Sequence, residues 1–336
     1  MAHGYRTSTW RVALLAAAAW LLPATAGAQE QAPIQRVTCS FSNMLDELRA
    51  GLKTGSPAYR KYLLQHIKEA ARSMPPGELI AAVEQERDPA VLEALGAALA
   101  THAGFTEDTS VLQPLLKRAA QDADPAARAA AVRGLRGTGS VETMSKNGNT
   151  VTYEQLIRDP SPEVREAVVG NLTDEAARNF GRFQGVAEQA VALASEASDP
   201  KTAAGLLGAS SIESARTPAV DSVRQLLEKS EHPEVRAAAA KALGTVQVGE
   251  TERTMKALTE RFATEGSREV RGAILEGIAR LGLSGAVPVL QKLKGADPAM
   301  DGEIDTWLTL LASQPQTWEL LLRDKQAREL AKNQGG

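Results

Sequence analysis

Cysteine is almost absent. Cys39 is the single one in 336 residues, so no disulfide can form within the chain. It reads as an incidental thiol, and packing must supply the stability. Aromatic residues make up 4% of the chain, which rules out a core built around large rings. Histidine is scarce too: His3, His66, His102 and His232 lie far apart and form no His-x-x-x-His or His-Glu pair. Helices present metal ligands at such spacings, so no metal and no cofactor is expected. No glycine-rich loop is followed by lysine at a helix start, and no Gly-x-Ser-x-Gly elbow occurs. Phosphate cradling and serine nucleophiles rely on those motifs.

What is present begins with a leader. His3, Arg6 and Arg11 precede the apolar run VALLAAAAWLL (12–22), and Ala26 and Ala28 set small residues before Gln29. This is the layout of a secretory signal peptide. The run falls well short of the roughly 20 apolar residues that span a bilayer. Residues 1–28 are therefore expected to be removed near Ala28, leaving a periplasmic or secreted protein. No later segment reads as a span. The leader carries two of the 38 basic residues and none of the 41 acidic ones, so residues 29–336 have a formal charge of −5. A nucleic-acid partner, which needs a clustered basic face, is not expected.

Beyond an N-terminal extension at 29–40, one pattern recurs: DPAARAAAVRGLRG (124–137), SPEVREAVVGNL (161–172), EHPEVRAAAAKALG (231–244) and SREVRGAILEGIARLG (267–282). Taking the proline as position 0, the equivalents are Pro57, Pro89, Pro125, Pro162, Pro200, Pro233, Arg268 and Pro298, spaced 30 to 38 residues apart. Position −1 is Ser56, Asp88, Asp124, Ser161, Asp199, His232, Ser267 and Asp297. Serine and aspartate there cap free N–H groups, and proline next loses nothing because its missing N–H would be unpaired. Apolar residues at +2, +5, +6, +9 and +10 draw one stripe along a helix. A second amphipathic segment precedes each start. The spacing predicts an all-α chain of about eight helical hairpins over 41–313, stacked as a solenoid, and a C-terminal capping helix and tail at 314–336.

The combination Asp-Pro-x-x-Arg, alanine-rich helix and Leu-Gly resembles HEAT repeats, in particular the short bacterial type associated with phycobilisome lyases. The resemblance covers roughly 41–313. It implies a ladder in which an acidic residue and the arginine join neighbouring repeats. The matching arginines are Arg60, Arg128, Arg165, Arg236 and Arg271, with Thr54, Asp122, Asp159, Ser230 and Glu265 six residues before them. Asp122, Arg128, Asp159, Arg165, Arg236, Glu265 and Arg271 are accordingly read as structural. Units two, five and eight break the pattern with Leu92, Ala203 and Asp301. A ligand-binding arginine row is the competing reading.

Two surfaces stand out for a protein partner. Residues 137–152 interrupt the repeat, and Asn147-Gly148 between Val141 and Val151 is a strong β-hairpin signal. Val141, Met144, Lys146, Asn147, Asn149 and Val151 are candidate contacts there. The other surface is position +7 of the second helices: Leu64, Val132, Val169, Leu207 and Leu275, a row that is either a groove for a partner or the edge of the inter-repeat core. The chain thus reads as an exported, non-catalytic scaffold or adaptor in the bacterial cell envelope, binding another protein. The alternatives are an accessory or maturation factor for an enzyme, as the lyase-type resemblance implies, and an unrecognised hydrolase using dispersed carboxylates.

Overall fold

A computed structural model describes residues 41–106, 108–136, 151–178, 184–209, 212–213, 215–313, 315 and 317–334. The regular elements among them are all helical; no strand occurs among the described residues. The hairpin expected around Asn147-Gly148 lies outside them.

The helices pair as eight hairpins. Units one to four are α1 (Phe41–Thr54) and α2 (Pro57–Arg72), α3 (Pro76–Gln85) and α4 (Pro89–Thr106), α5 (Gln113–Gln121) and α6 (Pro125–Gly134), then α7 (Tyr153–Leu156) and α8 (Pro162–Arg178). Units five to eight are α9 (Gln184–Glu196) and α10 (Pro200–Ala209), α11 (Thr217–Lys229) and α12 (Pro233–Leu243), α13 (Thr251–Thr264) and α14 (Arg268–Gly282), then α15 (Val287–Leu293) and α16 (Asp301–Leu311). A last helix, α17 (Trp318–Gln334), follows.

The second helices start where the proline frame places them, with one exception. Asp88, Asp124 and Asp199 accept N–H bonds from Ala90, Ala126 and Thr202, and Ser56 and Ser267 accept them from Tyr59 and Val270. His232 makes no side-chain cap. The exception is unit eight, where Asp297 caps a turn over Pro298–Met300 and α16 begins only at Asp301.

Small residues decide how the hairpins stack. Consecutive second helices pack directly on one another, whereas the first helices stand further apart. A Cβ on Gly134 would lie 3.1 Å from Gly96 Cα, and one on Gly277 would lie 2.5 Å from the Ala240 carbonyl oxygen. Only glycine lets these backbones approach so closely. Tight spacing in one layer and wide spacing in the other bends the stack, putting the second helices on the inside of the curve. Leu92, Leu95, Leu99, Val168, Leu206, Leu243, Ile274 and Ile278 fill the space between layers and are fully buried.

At the C-terminal end, Trp318 of α17 stacks on Trp307 of unit eight, with ring centroids 5.7 Å apart, and Leu321 is buried beside them. Lys325 Nζ lies 4.6 Å from the Trp307 ring centroid and completes this cap.

The stretch Arg268–Leu293 has the length and hydropathy of a membrane span, contrary to the expectation that nothing after the leader does. Its apolar residues Val270, Ile274, Leu275 and Ile278 are buried among neighbouring helices, and Leu283, at φ 44°, interrupts the run.

Candidate interaction surfaces

The arginine ladder is real but runs to different partners from those read in the sequence. Arg128 Nε and Nη2 donate to the two carboxylate oxygens of Asp159 at 2.8 and 2.9 Å, one unit downstream. Arg236 grips Glu265 the same way, at 2.8 and 2.9 Å. The residue six positions upstream contributes its backbone carbonyl instead. Arg128, Arg165 and Arg236 each donate Nη1 at 2.8 Å to the carbonyl oxygen of Asp122, Asp159 or Ser230. The expected pairs Asp122–Arg128, Asp159–Arg165 and Glu265–Arg271 are thus corrected: Arg128 and Arg165 hold their own loop by the carbonyl, and Arg128 and Arg271 reach a carboxylate of the next unit. The physical reason is reach. An arginine in the first turn of a second helix extends across the unit boundary, where its planar fork meets a carboxylate in both N–H directions.

The acids that receive these forks share one place, position −3 of the frame: Glu86, Asp122, Asp159 and Glu265. Each also accepts the N–H of residue −1 through one carboxylate oxygen, at 2.8 to 3.0 Å. Where no arginine comes from the second helix before, a first helix supplies it. Arg49 holds Glu86 at 2.6 Å, and Arg118 holds Asp122 at 2.6 Å while donating to the Glu86 carbonyl at 2.7 Å. Glu265 is held twice, by Arg236 and by Arg261 at 2.8 Å. Burial opposes its ionisation, but the Arg236 hydrogen bond, the Ser267 N–H and Arg261 outweigh that and leave its pKa at about 2. Asp159 is likewise lowered, burial being outweighed by Arg128 and the Ser161 N–H.

Four units lack an acid at −3, with Thr54, Ala197, Ser230 and Gly295 in its place, and in units five and eight an arginine of the preceding unit faces the gap. Ala197 and Gly295 occupy the position in units five and eight. Arg165 approaches Asp199 only at 3.7 Å, Arg271 takes Asp297, and the buried Nε of both arginines has no hydrogen-bond partner among the described residues. Six residues before each arginine is position −3 itself, so the sequence pattern already marks Asp122, Asp159 and Glu265; taking −3 in every unit, with or without an arginine, adds Glu86.

Of the insertion candidates, Val141, Met144, Lys146, Asn147 and Asn149 lie outside the described residues. Val151 is 6% exposed and sits in the core. Thr152 and Gln155 form a reciprocal capping box, and Tyr153 is fully buried, anchoring the return of the chain. Asn171, at a core position of α8, donates to the Val132 carbonyl oxygen at 2.6 Å and to the Tyr153 hydroxyl at 3.4 Å. Of the +7 row, Val132, Leu207 and Leu275 are fully buried, and Leu64 and Val169 are half-buried. The row faces the next unit: a Cβ at Gly205 would meet Val169 at 3.2 Å. It belongs to the inter-repeat seam.

The face that solvent reaches lies at +1, +4 and +8. Arg133 bridges Glu93 at 2.7 Å and Glu163 at 3.7 Å; Lys201 meets Glu166 at 2.6 Å and Lys241 meets Glu276 at 3.1 Å. These pairs stand on a floor of Ala97, Ala126, Ala204, Gly208 and Gly272, none of them a large side chain. Near the C-terminal end the face opens into a hollow of about 480 Å³ over Gly272, edged by Lys241, Arg268, Glu269, Glu276 and Glu303. Lys241 and Glu276 pair with each other, whereas no ion pair engages Glu269, Glu303 or Arg268 among the described residues, which leaves those three charges for a partner. No group of three or more metal-ligating side chains occurs among the described residues.

Residues 187–279, from α9 to α14, match the family model described as HEAT repeats. The comparison with curated proteins finds no match. Over this span the chain is similar to HEAT repeats, which commonly mediate protein–protein interaction, and the helical hairpins on either side of it follow the same plan.

Proposed function

We propose that the chain is an exported, non-catalytic HEAT-repeat scaffold that holds another protein in the bacterial cell envelope. The observation that carries the reading is the solvent-facing side of the second helices. There, rows of Glu, Lys and Arg rise from an alanine and glycine floor that runs through successive units. Such a face offers a long, shallow, polar surface on a rigid support, suited to an extended or helical partner. The carboxylates argue against proton-transfer chemistry. Every resolved shift on an Asp or Glu among the described residues is downward, as at Asp159, Glu188, Asp221, Glu250 and Glu265. A general acid working near neutrality needs its pKa raised. The leader at 1–28 supports export, and the insertion at 141–150 is proposed as a second point of contact with the partner, Val151 being part of the core.

The test is capture from an envelope fraction by residues 29–336. A stoichiometric partner is expected. Glu269→Lys with Glu303→Lys should lose it while melting stays unchanged, and replacing 141–150 by a short Gly-Ser link should weaken it. Retention by both variants would remove these surfaces from consideration, and robust turnover of a substrate by the purified chain would end the scaffold reading. Mass spectrometry of the native protein should find Gln29 at its N-terminus.

A further inference from the structure

On the solvent-facing side of the second helices the chain repeatedly supplies its own cation to a carboxylate of a neighbouring unit. Lys201 meets Glu166 at 2.6 Å, and Arg133 bridges Glu93 and Glu163. Arg136 shows the arrangement in full. Its Nε lies 3.0 Å from an Asp174 carboxylate oxygen, and its Nη2 fills the space over Gly170, 2.7 Å from where a Cβ would stand. The guanidinium thus covers backbone that only a glycine leaves bare, with a carboxylate beside it.

The hollow over Gly272 repeats those walls without the cation. Gly272 is again a bare floor, and Glu303 of the next unit stands at its edge, its carboxylate oxygens 3.1 and 3.4 Å from where a Cβ would be. Glu269 lies one turn before Gly272 on the same side of α14. Lys241, which could serve them, is taken by Glu276 at 3.1 Å. Arg268, also at the edge, is exposed and pairs with neither. Glu269 and Glu303 are left without an ion pair among the described residues, beneath about 480 Å³ of open space.

We propose that this hollow takes an arginine side chain presented by the partner, its guanidinium resting on Gly272 between Glu269 and Glu303. The assignment rests on the scaffold reading above and supplies the chemistry of what the scaffold grips. Charge sets the sign. With Lys241 and Glu276 neutralising each other, Glu269 and Glu303 outweigh Arg268 and leave the lining net negative. Shape selects among bases. A planar fork can meet two carboxylates while covering bare backbone, as Arg136 does at Gly170, whereas an ammonium is a compact, strongly hydrated point charge.

The test uses residues 29–336 with isotope-labelled glycine, so that the Gly272 amide reports by nuclear magnetic resonance. The probes are three tripeptides blocked at both ends, Ala-Arg-Ala, Ala-Lys-Ala and Ala-Gln-Ala. The arginine peptide should shift the Gly272 resonance saturably, with a Kd of about 1 mM. The lysine peptide should bind about threefold more weakly, and the glutamine peptide should leave the resonance where it is. Glu269→Gln with Glu303→Gln should weaken the arginine peptide about tenfold, because charge-assisted bonds are lost. Neither glutamate is buried, so melting should not change. Gly272→Ala, whose Cβ would stand on the floor 3.1 Å from Glu303, should also weaken it, whereas Gly208→Ala on α10 should not. A glutamine peptide that shifts Gly272 equally, a lysine peptide that binds as tightly, or undiminished binding to the double glutamine variant overturns the proposal. Capture from the envelope fraction separates this from the scaffold reading. Arginine binding by a chain that captures no partner upholds the hollow and overturns the scaffold. Capture that Glu269→Lys with Glu303→Lys abolishes, without any arginine binding, does the reverse.

Discussion

The doubly held carboxylate of Glu265 gives the sharpest stability prediction. It is 1% exposed, with Arg236 on one side, Arg261 on the other and the Ser267 N–H beneath. Its pKa falls from 4.5 to about 2 on folding. A shift of that size corresponds to about 3 kcal/mol favouring the folded state at neutral pH. Glu265→Gln keeps the shape, removes the charge and leaves two guanidiniums facing a neutral amide. Losing one partner of a buried pair costs about 3–5 kcal/mol, and the partial exposure of Arg261 places the loss at the lower end. Because the folded-state pKa is depressed, the stabilisation is complete above about pH 4.5 and disappears as the pH falls through about 2. Urea unfolding of both proteins, followed by far-ultraviolet circular dichroism, should therefore show a gap of about 3 kcal/mol at pH 7 that closes between pH 4.5 and 2. A gap that is the same at both ends of that range would show that the carboxylate's charge is not what joins units six and seven.

Two further outcomes follow from packing. Gly277→Ala drives a Cβ to 2.5 Å from the Ala240 oxygen and should cost about 1–3 kcal/mol, whereas Gly208→Ala, with nothing within 4 Å, should gain about 0.5 kcal/mol in thermal melts. Leu207→Asp puts a charge into the seam between units five and six and should abolish cooperative melting there, which exchange of the α10 and α12 amides will report.

The repeat frame was legible because helix starts are local. A Ser or Asp, a proline and a first-turn glutamate need no tertiary context to cap and orient a helix, and seven of eight second helices begin at the frame position. Unit eight departs because Asp297 there caps a turn and meets Arg271, and α16 starts only at Asp301. The clamp partners were not legible from residue type alone. Ser230 does for Arg236 what Asp122 does for Arg128, because each offers a carbonyl, so the side chain six residues upstream says nothing of that arginine's own partner; as at Asp159 and Glu265, it marks where an arginine of the unit before docks. The +7 row misled for a related reason: leucine and valine on a helix edge look the same in a seam as in a groove. Glycines on the facing helix, such as Gly134 and Gly205, show that the edge is covered.

The same geometry shows how to complete a clamp that the chain lacks. Arg165 already donates Nη1 to the Asp159 carbonyl at 2.8 Å, but its Nε is buried without a partner among the described residues. The carboxylate that should meet it belongs at Ala197, which ends α9 just as Glu265 ends α13 and Asp122 ends α5. Ala197→Glu should supply both oxygens, satisfy Nε and accept the Asp199 N–H. Charge-assisted hydrogen bonds contribute about 1.5–3 kcal/mol each set against full solvation. The nearby Asp199, 3.7 Å from Arg165, adds some like-charge repulsion. The net gain should be about 1 kcal/mol, read as a raised urea midpoint with unchanged slope. In an Arg165→Met background the glutamate has nothing to grip, and the gain should vanish. If Ala197→Glu stabilises both backgrounds equally, the arginine is not its partner. If it stabilises neither, position −3 is not sufficient to form the clamp, and the regularity from Glu86 to Glu265 needs another cause.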